Sequence, residues 1–160
     1  MKQVKIITAQ EAAQLVKDGD VVTTNGFVGS GQPEALTSAL EERFLNTGSP
    51  RDLTLIYAAS QGNTDGRGGD HFAHEGMLKK AILGHWNAVT ALQKLVNENK
   101  IQAYNLPQGT LSQYFRDVAA HRLGTITHVG LDTFADPRIS GGCLNDVTKE
   151  NFVKVINIEG

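Results

Sequence analysis

Short apolar runs alternate with longer amphipathic runs along most of this chain. Runs rich in β-branched and aromatic residues and bounded by glycine or proline predict strands. Runs with apolar residues three and four positions apart predict helices that bury one face. The predicted strands cover residues 21–24, 52–59, 79–86, 101–105, 125–129 and 152–158. The predicted helices cover residues 9–17, 33–44, 88–99 and 110–121.

The order of these elements predicts an α/β fold with an open, mostly parallel sheet and helices on both of its faces. Residues 52–59 form a nearly continuous apolar run, which is typical of a strand buried on both faces. Right-handed crossovers would bring the turns that follow several strands to one edge of the sheet. We therefore expect residues 26–32, 60–63 and 107–109 to meet there.

A polar, glycine-rich stretch without periodicity covers residues 60–76. A loop of this length in a compact domain is either functional or mobile. It contains Asp70, His71 and His74, which could bind a metal ion if the segment were helical. The neighbouring glycines favour a loop instead, so we expect solvated side chains and no metal site.

Composition narrows the class of protein. The chain has 160 residues, of which 40% are hydrophobic and 20% charged, as in a single globular domain. A net charge of -2 gives no support to a nucleic-acid-binding surface. No apolar run approaches the ~20 residues of a membrane span, and no signal-like segment opens the chain, so we expect a cytoplasmic protein without a membrane partner.

The single cysteine, Cys143, excludes an internal disulfide bond. A thiol beside a histidine could act as a nucleophile, and His121 and His128 are near it in sequence. Their predicted positions, at a helix end and in a strand, give no reason to place either histidine beside the thiol.

The turn at residues 25–33 joins the first predicted strand to a helix. Gly26 and Gly31 have the spacing of a phosphate-binding loop, but Gln32 and Pro33 stand where that loop needs Lys and Ser or Thr. The dinucleotide pattern G-x-G-x-x-G is absent as well. Two interpretations remain: a turn that offers backbone N–H groups to a thioester carbonyl or an oxyanion, or a tight connection that only needs small residues.

A second turn follows the predicted strand 101–105. It places Gln108 between Pro107 and Gly109, at the start of the next helix. An amide at the mouth of a parallel strand is well placed to hydrogen-bond a ligand. The alternative is a solvated glutamine at a helix N-terminus.

These stretches together resemble family I coenzyme A transferases, the oxoacid, acetate and propionate type. The resemblance is carried by Asp18-Gly19, by residues 25–34 (NGFVGSGQPE) and by residues 107–111 (PQGTL). Asn25 stands where the family has glycine, and asparagine tolerates the left-handed conformation better than most residues. The similarity runs in order over nearly the whole chain and is strongest with the fused, single-chain acetate or propionate branch.

The resemblance implies a ping-pong reaction. A glutamate of the enzyme attacks an acyl-CoA, a mixed anhydride and then a glutamyl-CoA thioester form, and CoA passes to a second carboxylate. In the family, the N-terminal half supplies walls of the acyl pocket and part of the oxyanion environment. The substrate-binding residues carried over on this basis are Gly26, Gly29, Ser30, Gly31, Gln61, Gln108 and Gly109.

No position here matches the family's nucleophilic glutamate, so no catalytic residue is assigned. The resemblance makes residues 1–160 an N-terminal domain that is incomplete at its C-terminal end and inactive alone. The expected partners are an acyl-CoA, a short-chain carboxylate, a C-terminal half or partner subunit, and further copies of the chain. Coenzyme A is a substrate here, and no cofactor is expected. Two alternatives stay open: a non-catalytic binding module or subunit that completes a partner's site, and an acyl-CoA hydrolase, in which water is the final acceptor.

Overall fold

The computed structural model describes residues 4–158 and contains a four-stranded parallel sheet with strand order β1-β2-β3-β4. The strands are β1 (Val21–Thr23), β2 (Leu53–Tyr57), β3 (Leu78–Leu83) and β4 (Gln102–Asn105). The helices are α1 (Ala9–Ala13), α2 (Glu34–Thr47), α3 (Thr90–Asn97) and α4 (Gln108–Ala119), with a 3₁₀ turn at Gly68–Phe72. Each strand is followed along the chain by a helix or by the 3₁₀ turn, which confirms the predicted α/β fold.

The side-chain alternation of β2 divides the core into two layers. Leu53, Leu55 and Tyr57 are fully buried in the larger cluster, together with apolar residues of α2 and α3. Ile56 points to the opposite face and joins a smaller cluster with residues of β3, β4 and α4. A strand covered on both faces buries nearly all of its side chains, which is why its sequence is a nearly continuous apolar run.

Local signals set the first helix. Thr8 Oγ1 accepts a hydrogen bond from Glu11 N at 3.1 Å, and Glu11 Oε2 accepts one from Thr8 N at 2.8 Å. This reciprocal pair is a capping box, and it fixes the start of α1. The helix ends at Ala13, earlier than its apolar pattern indicates, and Leu15 is exposed.

Two predicted strands do not form. Residues 125–129 and 152–158 are irregular, and Ile126 and Ile156 are exposed. The stretch after Cys143 lies along β4 instead: Leu144 N donates to Ala103 O, and the Tyr104 hydroxyl donates to Glu150 O. An apolar, β-branched pattern indicates only that the residues favour extended backbone. A strand also needs a neighbouring strand for its hydrogen bonds, and within residues 4–158 these two segments are not paired with one.

The prediction of solvated side chains within residues 60–76 is wrong for Asp70 and His71. Asp70 and His71 are buried, and Asp70 Oδ1 accepts a hydrogen bond from Leu92 N in the first turn of α3 at 3.1 Å. Burial raises the pKa of Asp70, against the opposing effect of the backbone N–H groups at the start of α3. Gly69 makes this packing possible, since a Cβ there would lie 2.8 Å from a methyl group of Val89.

Among residues 4–158, no helix is both long enough and apolar enough to cross a bilayer.

Gly84, directly after β3, tests how closely the chain segments that follow β2 and β3 pack together. A Cβ there would overlap the carbonyl oxygen of Ala58 and lie 2.7 Å from Gln108 Cγ. We expect Gly84→Ala to lower the free energy of unfolding by about 1–3 kcal/mol, because a well-packed site must shift to admit the methyl group. Urea unfolding followed by circular dichroism measures the change.

The matched control is Gly124→Ala, since a Cβ at Gly124 meets nothing within 4 Å. Equal stability of the two alanine variants would contradict the close approach of Gly84 to the chain that follows β2.

Candidate functional site

The chain segments that follow the four strands meet at the carboxyl edge of the sheet, around a cavity of about 310 Å³. Its apolar lining residues are Phe27, Val28 and Ala88. Its polar lining residues are Ser60, Asn63, Thr64, His85, Asn87 and Gln108. The predicted meeting of the turns after β1, β2 and β4 is therefore observed, and the residues after β3 join them.

A larger apolar cavity, of about 670 Å³, lies on the other side of the chain that follows β1. Residues of α1, α2, β1 and α4 line it, among them Leu36, Phe115 and Val118. It offers few groups that could polarise a carbonyl, so we place the chemistry in the smaller cavity. Both cavities share the turn after β1 as a wall.

That turn is a short hairpin pinned to the segment after β2. Phe27 N donates to Ser30 O at 2.9 Å, and Ser30 N donates back to Phe27 O at 3.0 Å. Val28 N donates to Ser60 O at 2.7 Å, and Val28 O accepts from Gly62 N at 3.0 Å. The tip of the turn is thus fixed by backbone hydrogen bonds and does not depend on a ligand for its position.

The glycines of this turn divide by role. Gly26 has φ 142°, and a Cβ there would lie 2.9 Å from Gln32 N, so glycine lets the turn close on itself. Within residues 4–158, the N–H groups of Gly29 and Gly31 donate to no other residue. Neither glycine is among the residues that line the cavity, so their role as backbone donors stays a prediction. Ser30 is exposed beside them and stays a predicted contact.

Gln61 occupies a different position from the one expected of a ligand contact. It is only 2% exposed, and its Nε2 donates to Thr24 O at 2.8 Å. This bond ties the end of β1 to the end of β2 and supports the pinned turn. A direct contact of Gln61 with substrate stays a prediction, since its side chain does not line the cavity.

Gln108 is the first residue of α4, directly after Pro107. Its side chain is exposed to the cavity and has no hydrogen-bond partner within the described residues. A Cβ at Gly109 would meet nothing within 4 Å, so open space lies beside Gly109. Gln108 lines the cavity and Gly109 does not, and a contact of either residue with substrate stays a prediction.

The sequence analysis did not predict several of the residues that line the cavity. His85 and Asn87 follow β3 at the same edge, but the strand predicted over residues 79–86 includes His85. The observed strand ends at Leu83. The turns that follow parallel strands share one edge of the sheet. A predicted strand that ended before Gly84 would therefore have placed His85 and Asn87 at this edge.

A partly buried ionic cluster joins the 60–76 segment to α2. His71 Nδ1 is 2.5 Å from Glu41 Oε2, and His71 Nε2 is 2.8 Å from Glu34 Oε1. His74 Nε2 lies 2.6 Å from Glu41 Oε1. Because each ring nitrogen of His71 faces a carboxylate, only the doubly protonated imidazolium can donate to both.

The cluster shifts the pKa of two of its members. Burial disfavours the charged form of His71, but the hydrogen bonds with Glu34 and Glu41 outweigh it and raise the pKa of His71. Burial acts on Glu41 as well, and the hydrogen bonds with His74 and His71 outweigh it and lower the pKa of Glu41. In the described part of the chain, no group of three or more His, Cys, Asp and Glu residues could hold a metal ion. The cluster is an ionic brace between α2 and the 3₁₀ turn.

Cys143 is half-buried, and burial raises the pKa of its thiol. His121 and His128 are exposed. This environment disfavours a thiolate nucleophile.

Comparison with known proteins agrees with this fold. A sequence model of the family described as "Coenzyme A transferase" matches residues 6–158, so the chain belongs to the coenzyme A transferase family. It is 40% identical over 159 residues to the acetate CoA-transferase YdiF of Escherichia coli K12, which covers 98% of this chain and 30% of YdiF. It is 38% identical to the caffeate CoA-transferase of Acetobacterium woodii, with 98% of this chain and 30% of that protein covered.

The structural comparison gives the same result. The crystal structure of the acyl-CoA transferase YdiF apoenzyme from Escherichia coli O157:H7 superposes with a TM-score of 0.92 at 39% identity. The match covers 98% of this chain and 30% of that one. The chain thus spans about a third of the length of these relatives.

The ionic brace predicts how stability depends on pH. The pKa of His71 is raised by folding, so its contribution is fully present below the unfolded value of ~6.5 and is lost as pH rises through the folded value. The pKa of Glu41 is lowered, so its contribution is present above ~4.5 and is lost as pH falls through the folded value. We expect stability to fall on both sides of this window.

The variant that tests this is His71→Gln. It leaves Glu34 and Glu41 without their shared cation. Because both carboxylates are partly exposed and screened by solvent, we expect a loss of about 1–2 kcal/mol at pH 6 and a flatter profile above pH 6.5. Thermal unfolding of both proteins at intervals from pH 4 to 9 measures the two curves. Parallel curves above pH 6.5 would show that His71 is neutral in the folded protein.

Proposed function

We propose that this chain forms the acyl-pocket half of an enzyme that transfers coenzyme A between a short-chain acyl-CoA and a carboxylate of the acetate, propionate or oxoacid class. Membership of the family supports CoA transfer. The observation that carries the half-pocket role is a cavity with neutral hydrogen-bond donors and no carboxylate. Within residues 4–158, none of the side chains that line it is Asp or Glu.

In this proposal, the nucleophile is a glutamate of a C-terminal half or partner subunit. Its carboxylate attacks the thioester carbonyl, the C–S bond breaks, and CoA leaves as a thiolate from the mixed anhydride that forms. The thiolate then attacks the glutamyl carbonyl and releases the first carboxylate, which leaves glutamyl-CoA. The acceptor carboxylate repeats these steps in reverse.

Two carboxylates of α2 are poor candidates for that nucleophile. Glu34 accepts hydrogen bonds from His71 and from Gly68 N, and Glu41 is held by His71 and His74. A carboxylate engaged at both oxygens has little freedom to attack a thioester. This arrangement supports a nucleophile from outside the described residues.

Gln108 and the N–H groups of Gly29 and Gly31 are the proposed donors to the thioester oxygen. Negative charge develops on this oxygen as the carboxylate attacks, so donors already fixed at that point stabilise the transition state more than the substrate. The turn needs no reorganisation, because backbone hydrogen bonds hold it in place. Coenzyme A enters as a substrate, and the active assembly is proposed to contain further copies of this chain.

The first test supplies the missing half. We expect the purified chain to form no propionyl-CoA from acetyl-CoA and propionate, and we expect formation after a chain carrying the C-terminal half is added. Chromatography of the CoA esters measures the exchange. A robust rate from residues 1–160 alone would refute the half-pocket role.

The same experiment separates the alternatives. Acetate released from acetyl-CoA without an acceptor identifies a hydrolase. Saturable binding of acetyl-CoA without turnover in the mixture identifies a binding module.

The second test removes the proposed amide donor. We expect Gln108→Ala in the complete enzyme to lower kcat about 100-fold, the usual effect of losing one oxyanion donor. The unfolding midpoint should not change, because this exposed side chain has no partner in the described residues. Gln10→Ala, on the exposed surface of α1, is the control. Wild-type kinetics in the Gln108 variant would make this residue a solvated start of α4.

A further inference from the structure

Val28 has a backbone conformation that valine rarely adopts. Its φ is 53°, in the left-handed region, where a β-branched side chain is a true outlier. It occupies the first central position of the Phe27–Ser30 hairpin turn, and Gly29 occupies the second without a left-handed φ. A positive φ at the first central position alone is the pattern of a type II′ turn, which normally has glycine there.

The hydrogen bonds of the turn do not explain this valine. Val28 N donates to Ser60 O, and Val28 O accepts from Gly62 N, so both bonds involve backbone atoms only. Glycine at this position would make the same two bonds without the steric conflict at Cβ. The side chain is also 40% exposed, so burial in the core gives little in return. Strain that the fold does not require points to a role of the side chain itself.

The side chain of Val28 lines the same cavity as Gln108. Phe27 and Ala88 are the other apolar residues there, and the remaining walls are polar. If Gln108 is near the thioester oxygen, the apolar wall is the surface available to the hydrocarbon part of the acyl group. The cavity, at about 310 Å³, is small enough for one side chain to decide what fits.

We propose that Val28 is a specificity-determining residue, whose side chain is held in the cavity by a strained turn and limits the length of the acyl group. The proposal rests on the proposed function. One methylene in a hydrophobic pocket changes kcat/KM by about 10- to 200-fold, so a side chain of this size can separate short from longer acyl groups.

The test compares Val28→Ala, Val28→Gly and Val28→Phe in the complete enzyme with acetyl-, butyryl- and hexanoyl-CoA as donors. We expect Ala and Gly to raise the kcat/KM ratio of hexanoyl-CoA to acetyl-CoA at least about tenfold. We expect Phe to lower the ratio of butyryl-CoA to acetyl-CoA. We also expect Val28→Gly to keep or raise the unfolding midpoint, because the strain is removed.

Val147→Gly is the matched control. Val147 is 38% exposed, its φ is not positive, and it lies beside the starts of β3 and β4 at the opposite edge of the sheet. We expect this variant to lower the unfolding midpoint and to leave the donor ratios unchanged.

The outcomes separate the two proposals. A wild-type enzyme that transfers CoA from none of the three donors overturns the proposed function, and the role of Val28 with it. Transfer with the same donor ratios in all Val28 variants overturns the role of Val28 alone. A midpoint that falls as far in Val28→Gly as in Val147→Gly refutes the strain.

Discussion

The site depends on backbone hydrogen bonds that join the turn after β1 to the segment after β2. Val28 N to Ser60 O and Gly62 N to Val28 O fix the tip of the turn, and the buried amide of Gln61 fixes its base through Thr24 O. Without them, the turn after an edge strand of only three residues would have little to hold it. With them, the turn holds its position without a ligand, which in the proposed reaction lowers the reorganisation needed.

The 60–76 segment supplies the second support. His71 lies between two carboxylates of α2, and Asp70 accepts a hydrogen bond at the first turn of α3, so one short 3₁₀ turn connects two helices. Glu34 is also the first residue of α2 and follows the glycine turn directly. The ionic brace therefore fixes the helix that the turn leads into.

Much of this architecture could be predicted from the sequence, because local patterns encode it. The apolar run at β2, the capping box at Thr8 and the glycine spacing at residues 26–31 each depend on neighbouring residues. The shared edge of the turns then follows from the right-handed connection of parallel strands.

The features that could not be predicted depend on contacts distant in sequence. His71 and Glu41 are 30 residues apart, and nothing in the polar, glycine-rich stretch around His71 indicates that a helix will cover it. The same limit applies to the C-terminal stretch, where residues 152–158 have a strand's composition but no strand partner in the described fold. His85 was not recognised as a lining residue for another reason: the predicted strand 79–86 includes it, whereas β3 ends at Leu83.

The side chains that line the cavity determine which groups an attacking carboxylate would meet in the proposed reaction. Within residues 4–158, the lining includes amide, hydroxyl and imidazole groups but no Lys or Arg. A fixed cation there would pair with an attacking carboxylate in the ground state and reduce its reactivity. In the proposed reaction, a neutral donor such as the amide of Gln108 interacts most strongly with the oxygen that becomes charged during attack. A wall without Asp, Glu, Lys or Arg side chains would favour that transition state without holding the nucleophile back, and this is the arrangement that the proposed half-site opposite a glutamate requires.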